Sequence, residues 1–88
     1  MQTEDLDELR RKINDIDEQF CQLIQQRKQV SEAIGIYKKK YQLKIRDEKR
    51  ESDHIQNLQN KNLSLNKVLI AEVIQKIIDD SVLQQEQI

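Results

Sequence analysis

The chain has 88 residues and a mass of 10.5 kDa, so it can enclose one small hydrophobic core at most. It contains one glycine and no proline, and it therefore lacks the turn residues that β-sheet proteins require. A single cysteine excludes a disulfide scaffold and is typical of a reducing compartment. No apolar run is long enough for a membrane span, and the polar start is unlike a signal peptide. These features predict an all-α, cytoplasmic protein.

The net charge of −1 conceals an uneven distribution along the chain. Residues 27–50 carry nine basic and three acidic side chains, whereas the segments on either side are acidic. A basic central segment is compatible with the binding of an anion or of a nucleic acid. However, the lysines of this segment lie where a helix is predicted to end, and the dipole at the C-terminal end of a helix favours cations in any case. No nucleic-acid recognition motif is visible either. Nucleic-acid binding therefore remains only an alternative.

A long helix is predicted from about residue 5 to about residue 40. Its apolar residues are spaced alternately by three and four, which is the heptad pattern of a helix that packs along one seam. We call this set the seam, and it consists of Leu6, Leu9, Ile13, Ile16, Phe20, Leu23, Val30, Ile34 and Tyr37. Arg27 occupies the seam position that follows Phe20, and Gly35 falls at a position that the register directs outward.

The length of this helix predicts a dimer. About 35 residues at 1.5 Å each extend for roughly 50 Å, whereas a compact chain of this size has a diameter of roughly 30 Å. The helix must project from its own globule and expose the seam unless a second chain covers it. The expected architecture is an intertwined homodimer, a helical bundle with three helices in each chain.

Two shorter helices are predicted after the long one. Asp47 can cap a helix that continues to about Asn60, and a polar connection leads to a third helix from about Leu65 to about Gln85. The third helix carries an apolar stripe, which is formed by Ile70, Val73, Ile74, Ile77 and Ile78. Helical steps from this stripe lead to Ser81 and Gln85, so two polar residues extend an apolar face.

The basic residues on or beside the seam have ordinary explanations when each is considered alone. Arg27 on an apolar seam would reach towards the surface or pair with a carboxylate of another helix, such as Asp17 or Glu18. Arg10 and Lys38 flank the seam, where solvated side chains are common. Each observation taken singly favours a structural role.

The remaining reactive side chains give little support to nucleophilic or metal-dependent chemistry. Cys21 lies outside the seam, and His54, the only histidine, is expected at the surface or in helix packing. Asp47, Arg50 and Glu51 share one face of the second helix, which is also what a helix cap and a surface ion pair would produce.

Five segments in order nevertheless form a known pattern. They are residues 6–20, 23–27, 34–38, 45–51 and 78–85, and the most specific are Ile45-Arg-Asp-Glu-Lys-Arg-Glu51 and Asp80-Ser-Val-Leu-Gln-Gln85. The pattern resembles that of the all-helical chorismate mutases, the class that forms intertwined dimers. The resemblance covers essentially the whole chain, so residues 1–88 are interpreted as one chorismate mutase-like domain.

The resemblance implies a function, a partner and a set of site residues. The implied reaction is the [3,3] rearrangement of chorismate to prephenate in phenylalanine and tyrosine biosynthesis, which requires no metal and no cofactor. The implied assembly is a homodimer with two sites, in which Arg10 enters the site of the partner chain. The other positions that match the family's substrate-binding residues are Arg27, Lys38, Asp47, Arg50, Glu51, Ser81 and Gln85.

Four of the matched residues are implied to be catalytic, namely Arg10, Arg27, Lys38 and Gln85. The two arginines would hold the two substrate carboxylates, because a guanidinium pairs with a carboxylate through two hydrogen bonds. The lysine and the glutamine would donate hydrogen bonds to the ether oxygen, where negative charge grows as the C–O bond breaks. The remaining matched residues would bind the ring hydroxyl or assist the arginines.

Three alternatives remain at the level of the sequence. An isochorismate-pyruvate lyase has the same fold and much of the same pocket, and assays with both substrates would distinguish the two enzymes. A non-enzymatic helical dimerisation module would tolerate replacement of Arg27 and Gln85. A nucleic-acid-binding protein would show binding that depends steeply on salt.

Overall fold

The computed structural model describes residues 5–88 and consists of three α-helices. Helix α1 spans Leu6–Lys40, α2 spans Glu48–Lys61 and α3 spans Lys67–Glu86. The described residues contain no strand. The prediction of an all-α chain with one very long helix is confirmed. Residues 1–4, which form the polar start of the sequence, lie outside the described residues.

Each helix is preceded by an N-cap residue whose side chain accepts hydrogen bonds from free backbone amides of the first turn. The carboxylates of Asp5 and Asp47 and the side-chain oxygen of Asn66 accept hydrogen bonds from backbone amides two or three residues ahead. The Asp47 carboxylate accepts from the amide of Arg50 at 3.0 Å, so its predicted role as a cap is confirmed. This cap fixes the point at which the chain leaves the loop 41–47 and enters α2.

Helix α3 packs against both α1 and α2 and is the centre of the chain. The buried side chains on it are Ile70, Ile78, Ser81 and Gln85. Within residues 5–88, the two isoleucines are the only buried hydrophobic side chains, while Ser31, Ser81 and Gln85 are buried polar residues. The buried part of a single chain is therefore mostly polar, and its two isoleucines are too few to form an independent hydrophobic core.

The seam of α1 is exposed along its whole length. Its nine apolar residues are between 43% and 61% exposed, and the chain measures 60 × 25 × 15 Å. The radius of gyration is 17.0 Å, against about 12 Å for a compact domain of this size. The accessible surface is 7599 Å², against about 5,400 Å² for a folded monomer of this mass.

Gly35 lies in a different environment from the one that the heptad register predicts. It is buried against α3, and a Cβ atom added to it would lie 2.5 Å from Cδ1 of Ile88 and 2.9 Å from Cγ of Gln85. The register was wrong here because it describes only the seam. Helix α3 packs on a second face of α1, which contains Ser31 and Gly35 one turn apart.

Candidate functional site

A cavity of about 610 Å³ lies between the second half of α1, the loop 41–47, the first turns of α2 and the end of α3. Seven of the eight matched residues line it, namely Arg27, Lys38, Asp47, Arg50, Glu51, Ser81 and Gln85. Its other lining residues are Val30, Ser31, Ile34, Leu43, Lys44, Ile45, His54, Ile78 and Val82. The fold thus brings together residues that are separated by up to 58 positions in the sequence.

Arg10 is the one matched residue that does not line the cavity. It is exposed on the first half of α1, and its separation from Arg27 by 17 positions corresponds to about 25 Å along the helix axis. A straight helix cannot bend its own Arg10 back to the cavity. Within one chain, the cavity therefore lacks this arginine.

The cavity is lined by four cations that lack a carboxylate partner. Arg27, Lys38, Lys44 and Arg50 line it, and none of them forms an ion pair within the part of the chain that the structure describes. The alternative in which Arg27 pairs with Asp17 or Glu18 therefore does not occur within residues 5–88 of a single chain. Uncompensated cations in a concave site attract an anionic ligand.

Neutral oxygen atoms orient two of these cations. The Arg27 guanidinium donates to Oγ of Ser81, and the Ser81 hydroxyl in turn donates to the backbone oxygen of Ile77 at 3.0 Å. The Lys38 ammonium donates to the backbone oxygen of Ile45, which ties the end of α1 to the loop. An ammonium has three N–H groups and a guanidinium has five, so both side chains keep donors for a ligand.

Glu51 lines the cavity, and its carboxylate is bonded to two neighbouring side chains. Arg46 donates to one carboxylate oxygen through Nε at 3.1 Å, and Gln75 lies 3.4 Å from the other oxygen. The Glu51 side chain is only 13% exposed. Two oxygens offer about four acceptor positions, so the carboxylate can still accept a hydrogen bond from a hydroxyl group in the cavity.

The same network extends to Asp79 on α3. Asp79 accepts from Gln75 at 3.0 Å and from Arg46, and these hydrogen bonds, first from Gln75 and then from Arg46, lower the pKa of its carboxyl group. The hydrogen bond to Asp79 raises the pKa of Arg46. Arg46 of the loop therefore offsets the charges of Glu51 on α2 and Asp79 on α3.

A second cavity of about 500 Å³ also borders Glu51. It is lined by Ile55 and by polar residues of α2 and α3, together with Arg46, the arginine that pairs with Glu51 and Asp79. Because that arginine is already neutralised, the second cavity offers weaker attraction to an anion than the first. The first cavity is therefore the candidate site for an anionic ligand.

Gln85 and Ser81 are the two buried polar residues that line the cavity from α3. The side-chain amide of Gln85 donates to Oγ of Ser31 at 3.0 Å, and Ser31 is also buried. The cavity therefore contains a primary amide, which is a donor at every pH, as well as the ammonium group of Lys38.

Comparison with known families identifies the chain. The family model described as chorismate mutase type II matches residues 9–86. The chain belongs to this family. Neither a search of curated proteins nor a search of solved structures gave a significant match.

The family match confirms the resemblance seen in the sequence and the interpretation of the chain as a chorismate mutase, an isomerase. Chorismate is a dianion, and its two carboxylates correspond in charge to the cationic lining of the cavity.

Within residues 5–88, no helix is long and apolar enough to cross a membrane. The described residues also contain no group of three or more His, Cys, Asp or Glu that could hold a metal ion.

Ser31 and His54 are among the nine lining residues of the mutase cavity that were not assigned to it from the sequence. Ser31 lies seven residues before Lys38 and four after Arg27, so a search along that helical face would have found it. His54 is half-buried in the cavity wall, three residues after Glu51, and its expected role in helix packing describes only part of its environment. Cys21 is a free, exposed thiol, as its position outside the seam predicts.

Proposed function

We propose that this chorismate mutase converts chorismate to prephenate in the cavity between α1, α2 and α3, and that a second copy of the chain completes each site. The observation that carries the proposal is the set of unpaired cations in a cavity built by the family's fold. The lining carries four cations against the two carboxylates of Asp47 and Glu51, and a dianion would balance this excess of positive charge. We also propose that the reaction serves phenylalanine and tyrosine biosynthesis.

Arg27 would bind one substrate carboxylate. Its guanidinium is held by Ser81 from α3, so little side-chain freedom remains to be lost on binding. Arg50, at the start of α2, has no side-chain partner among residues 5–88 and also faces the cavity. Holding both carboxylates selects the folded conformer of the substrate and lowers the entropic part of the barrier.

Lys38 and Gln85 would act on the bond that breaks. As the C–O bond lengthens, negative charge accumulates on the ether oxygen, and hydrogen bonds to that oxygen become stronger than they are in the ground state. Both side chains are fixed by one neutral partner and keep further N–H groups. The Glu51 carboxylate would accept a hydrogen bond from the ring hydroxyl, and the backbone at Asp47 would also bind this hydroxyl.

A homodimer would supply the arginine that one chain lacks. The accessible surface exceeds that expected for a compact monomer by about 2,000 Å², which is in the range that obligate dimers bury. The exposed seam of α1 provides an apolar contact surface of suitable length. When α1 crosses the partner, Arg10 on its first half would reach the partner's cavity.

The cytoplasm is the proposed location of the protein. The support is the single cysteine, Cys21, which is an exposed and free thiol. Such thiols persist in a reducing compartment, whereas secreted domains of this size usually depend on disulfides.

The test is consumption of chorismate by the purified chain, with the product identified as prephenate by NMR spectroscopy. Arg27→Ala should remove nearly all of this activity, whereas Lys61→Ala, at the exposed end of α2, should leave it unchanged. Isochorismate is assayed in parallel. Release of pyruvate from isochorismate without conversion of chorismate would contradict the proposal, and so would turnover that survives Arg27→Ala.

A further inference from the structure

Ser31 and Gln85 form a hydrogen bond between two buried polar side chains. Ser31 is 4% exposed and Gln85 is 9% exposed, and the amide nitrogen lies 3.0 Å from the serine oxygen. They lie on different helices, α1 and α3, and both line the cavity. A buried pair of this kind fixes the position of both groups, because breaking it would leave an amide donor without a partner.

The side chain of Gln85 is also fixed at a second point. Gly35 lies one helical turn after Ser31 on the same face of α1, and a Cβ atom there would come within 2.9 Å of Cγ and 3.2 Å of Cβ of Gln85. The absence of a side chain at position 35 lets the methylene groups of Gln85 lie against the backbone of α1. Gly35 thus leaves space for Cβ and Cγ of Gln85, and Ser31 accepts a hydrogen bond from its amide.

A primary amide needs such a restraint when it is used as a donor. Its last torsion is broad, and rotation by half a turn would replace the N–H groups with a carbonyl oxygen that repels an oxygen atom of the substrate. The amide nitrogen carries two hydrogens. When one is committed to Ser31, the plane of the amide is set and the second N–H has a defined direction.

We propose that Ser31 is a positioning residue that orients the amide of Gln85 for donation to the ether oxygen of the substrate; the inference rests on the proposed function. The effect of Ser31 is expected in the transition state, where the donor acts. Loss of its hydroxyl should therefore lower kcat by about 3- to 10-fold, the range for one neutral hydrogen bond, with little change in KM.

The test is a double-mutant cycle with Ser31→Ala and Gln85→Met. Methionine has a length similar to that of glutamine and carries no donor, so Ser31 has nothing to orient in that background. Ser31→Ala should lower kcat in the wild-type chain and have no further effect in Gln85→Met, measured at high enzyme concentration. Ser52→Ala, at an exposed position on α2, is the matched control and should leave kcat unchanged in both backgrounds.

A measurement without substrate separates this inference from the proposed function. In the chain labelled with ¹⁵N, the side-chain amide signal of Gln85 is assigned by its absence from Gln85→Met. Ser31→Ala should shift this signal and raise its hydrogen-exchange rate, whereas Ser52→Ala should not. The inference is overturned if the signal does not change, if Ser31→Ala does not lower kcat, or if kcat falls equally in both backgrounds. If wild-type protein does not convert chorismate, the proposed function fails, and the NMR signal still decides whether Ser31 holds the amide.

Discussion

At the scale of single residues, the proposed role of Gln85 can be tested through pH. A neutral amide donates at any pH, so activity of the wild-type chain should vary little between about pH 5 and 8. Gln85→Glu places a carboxyl group of similar reach at this position. Its pKa, about 4.3 in water, should rise through desolvation beside a dianion, and only the protonated form can donate. The kcat of Gln85→Glu should therefore increase as the pH falls through this raised value.

Two effects require controls in this experiment. The cation of Lys38, which lines the same cavity, lowers the pKa of the introduced carboxyl group and moves the rise in kcat to lower pH. Acid can also dissociate an oligomer, so the association state is followed by sedimentation at each pH. A flat profile for Gln85→Glu, equal to that of wild type, would show that Gln85 does not donate to the breaking bond.

Arg27 gives a second prediction at this scale. Within residues 5–88 its side chain is bonded to the Ser81 hydroxyl, and three other cations line the same cavity. Arg27→Leu removes a half-buried charge from this group and should keep or raise Tm. Because two charge-assisted hydrogen bonds to a carboxylate are lost, kcat/KM should fall by about 10²- to 10⁴-fold.

The comparison that decides this point is Arg27→Lys, which keeps the charge but not the paired donors. It should have a Tm close to that of wild type without recovering most of the activity, since an ammonium group lacks the paired, coplanar donors of a guanidinium. A variant Arg27→Leu that melts at lower temperature and retains its turnover would assign a structural role to the arginine.

At the scale of helices, the contact of α1 with α3 depends on Gly35. Gly35→Ala adds a Cβ atom 2.5 Å from Cδ1 of Ile88, which is the flexible end of a side chain, and 2.9 Å from Cγ of Gln85, which is not. Alanine gains about 1 kcal/mol of helix propensity, which offsets part of the strain. We therefore expect a small change in Tm and a fall in kcat of about tenfold or more, because Gln85 must move.

Ala33→Ser provides a control for Gly35→Ala, because residue 33 is exposed on the same helix. It should leave kcat unchanged. If Gly35→Ala has wild-type kcat and KM, the close contact does not fix Gln85.

The sequence predicted the helices well and the contacts between them less well. Hydrophobic spacing and the cap at Asp47 are local signals, and they gave the three helices with boundaries within about two residues. The positions of Ser31 and Gly35 were not recovered, because a heptad register describes one seam and α1 contacts neighbours on two faces. Polar residues that line a pocket have no hydrophobic signature, so the matched residues could be grouped only by resemblance.

The network between the loop, α2 and α3 predicts a dependence of stability on acid. The pKa of Asp79 is lowered from 3.8 in the folded chain by the hydrogen bonds from Gln75 and Arg46. A carboxyl group with a lowered folded-state pKa stabilises the fold above its unfolded-state pKa, and this contribution is lost as the pH falls through the lower value. Asp79→Asn should therefore reduce Tm near neutrality and have progressively less effect below about pH 4.

The measurement is Tm against pH for wild type and Asp79→Asn. The change should be modest, because Asp79 is exposed and salt screens its charge. Asp80→Asn is a suitable comparison, because the ion pair of Asp80 with Lys28 is longer, at 3.4 Å. A difference in Tm between wild type and Asp79→Asn that is constant from neutral pH to below pH 3 would show that the titration of Asp79 does not contribute.

At the scale of the whole molecule, the elongated shape of the chain supports the proposed homodimer. An α1 helix of 35 residues extends beyond the part that α3 covers, and its exposed seam would be unfavourable in water. The same helix carries Arg10 at one end and the cavity-lining Arg27 and Lys38 towards the other. A dimer in which two such helices cross would bury the seams and bring each Arg10 to the opposite cavity in one arrangement.

The decisive prediction is recovery of activity in mixed dimers. Arg10→Ala and Arg27→Ala should each be nearly inactive alone. In a mixed dimer, the chain with intact Arg27 receives Arg10 from its partner, so one of the two sites is complete and the other lacks both arginines. Random exchange at equal concentrations makes half of the dimers mixed, so about one quarter of the sites should be active.

A second pair of variants supplies the control for this experiment. Arg27→Ala and Lys38→Ala alter residues that line the cavity of the same chain, so each site of their mixed dimer still lacks one of the two residues. This pair should recover no activity, although its subunits exchange equally well. Exchange is monitored with chains of different mass. If the Arg10 and Arg27 variants exchange and remain as inactive as the control pair, Arg10 does not act on the partner's site. The roughly 25 Å between it and Arg27 along α1 would then leave Arg10 without a role in catalysis.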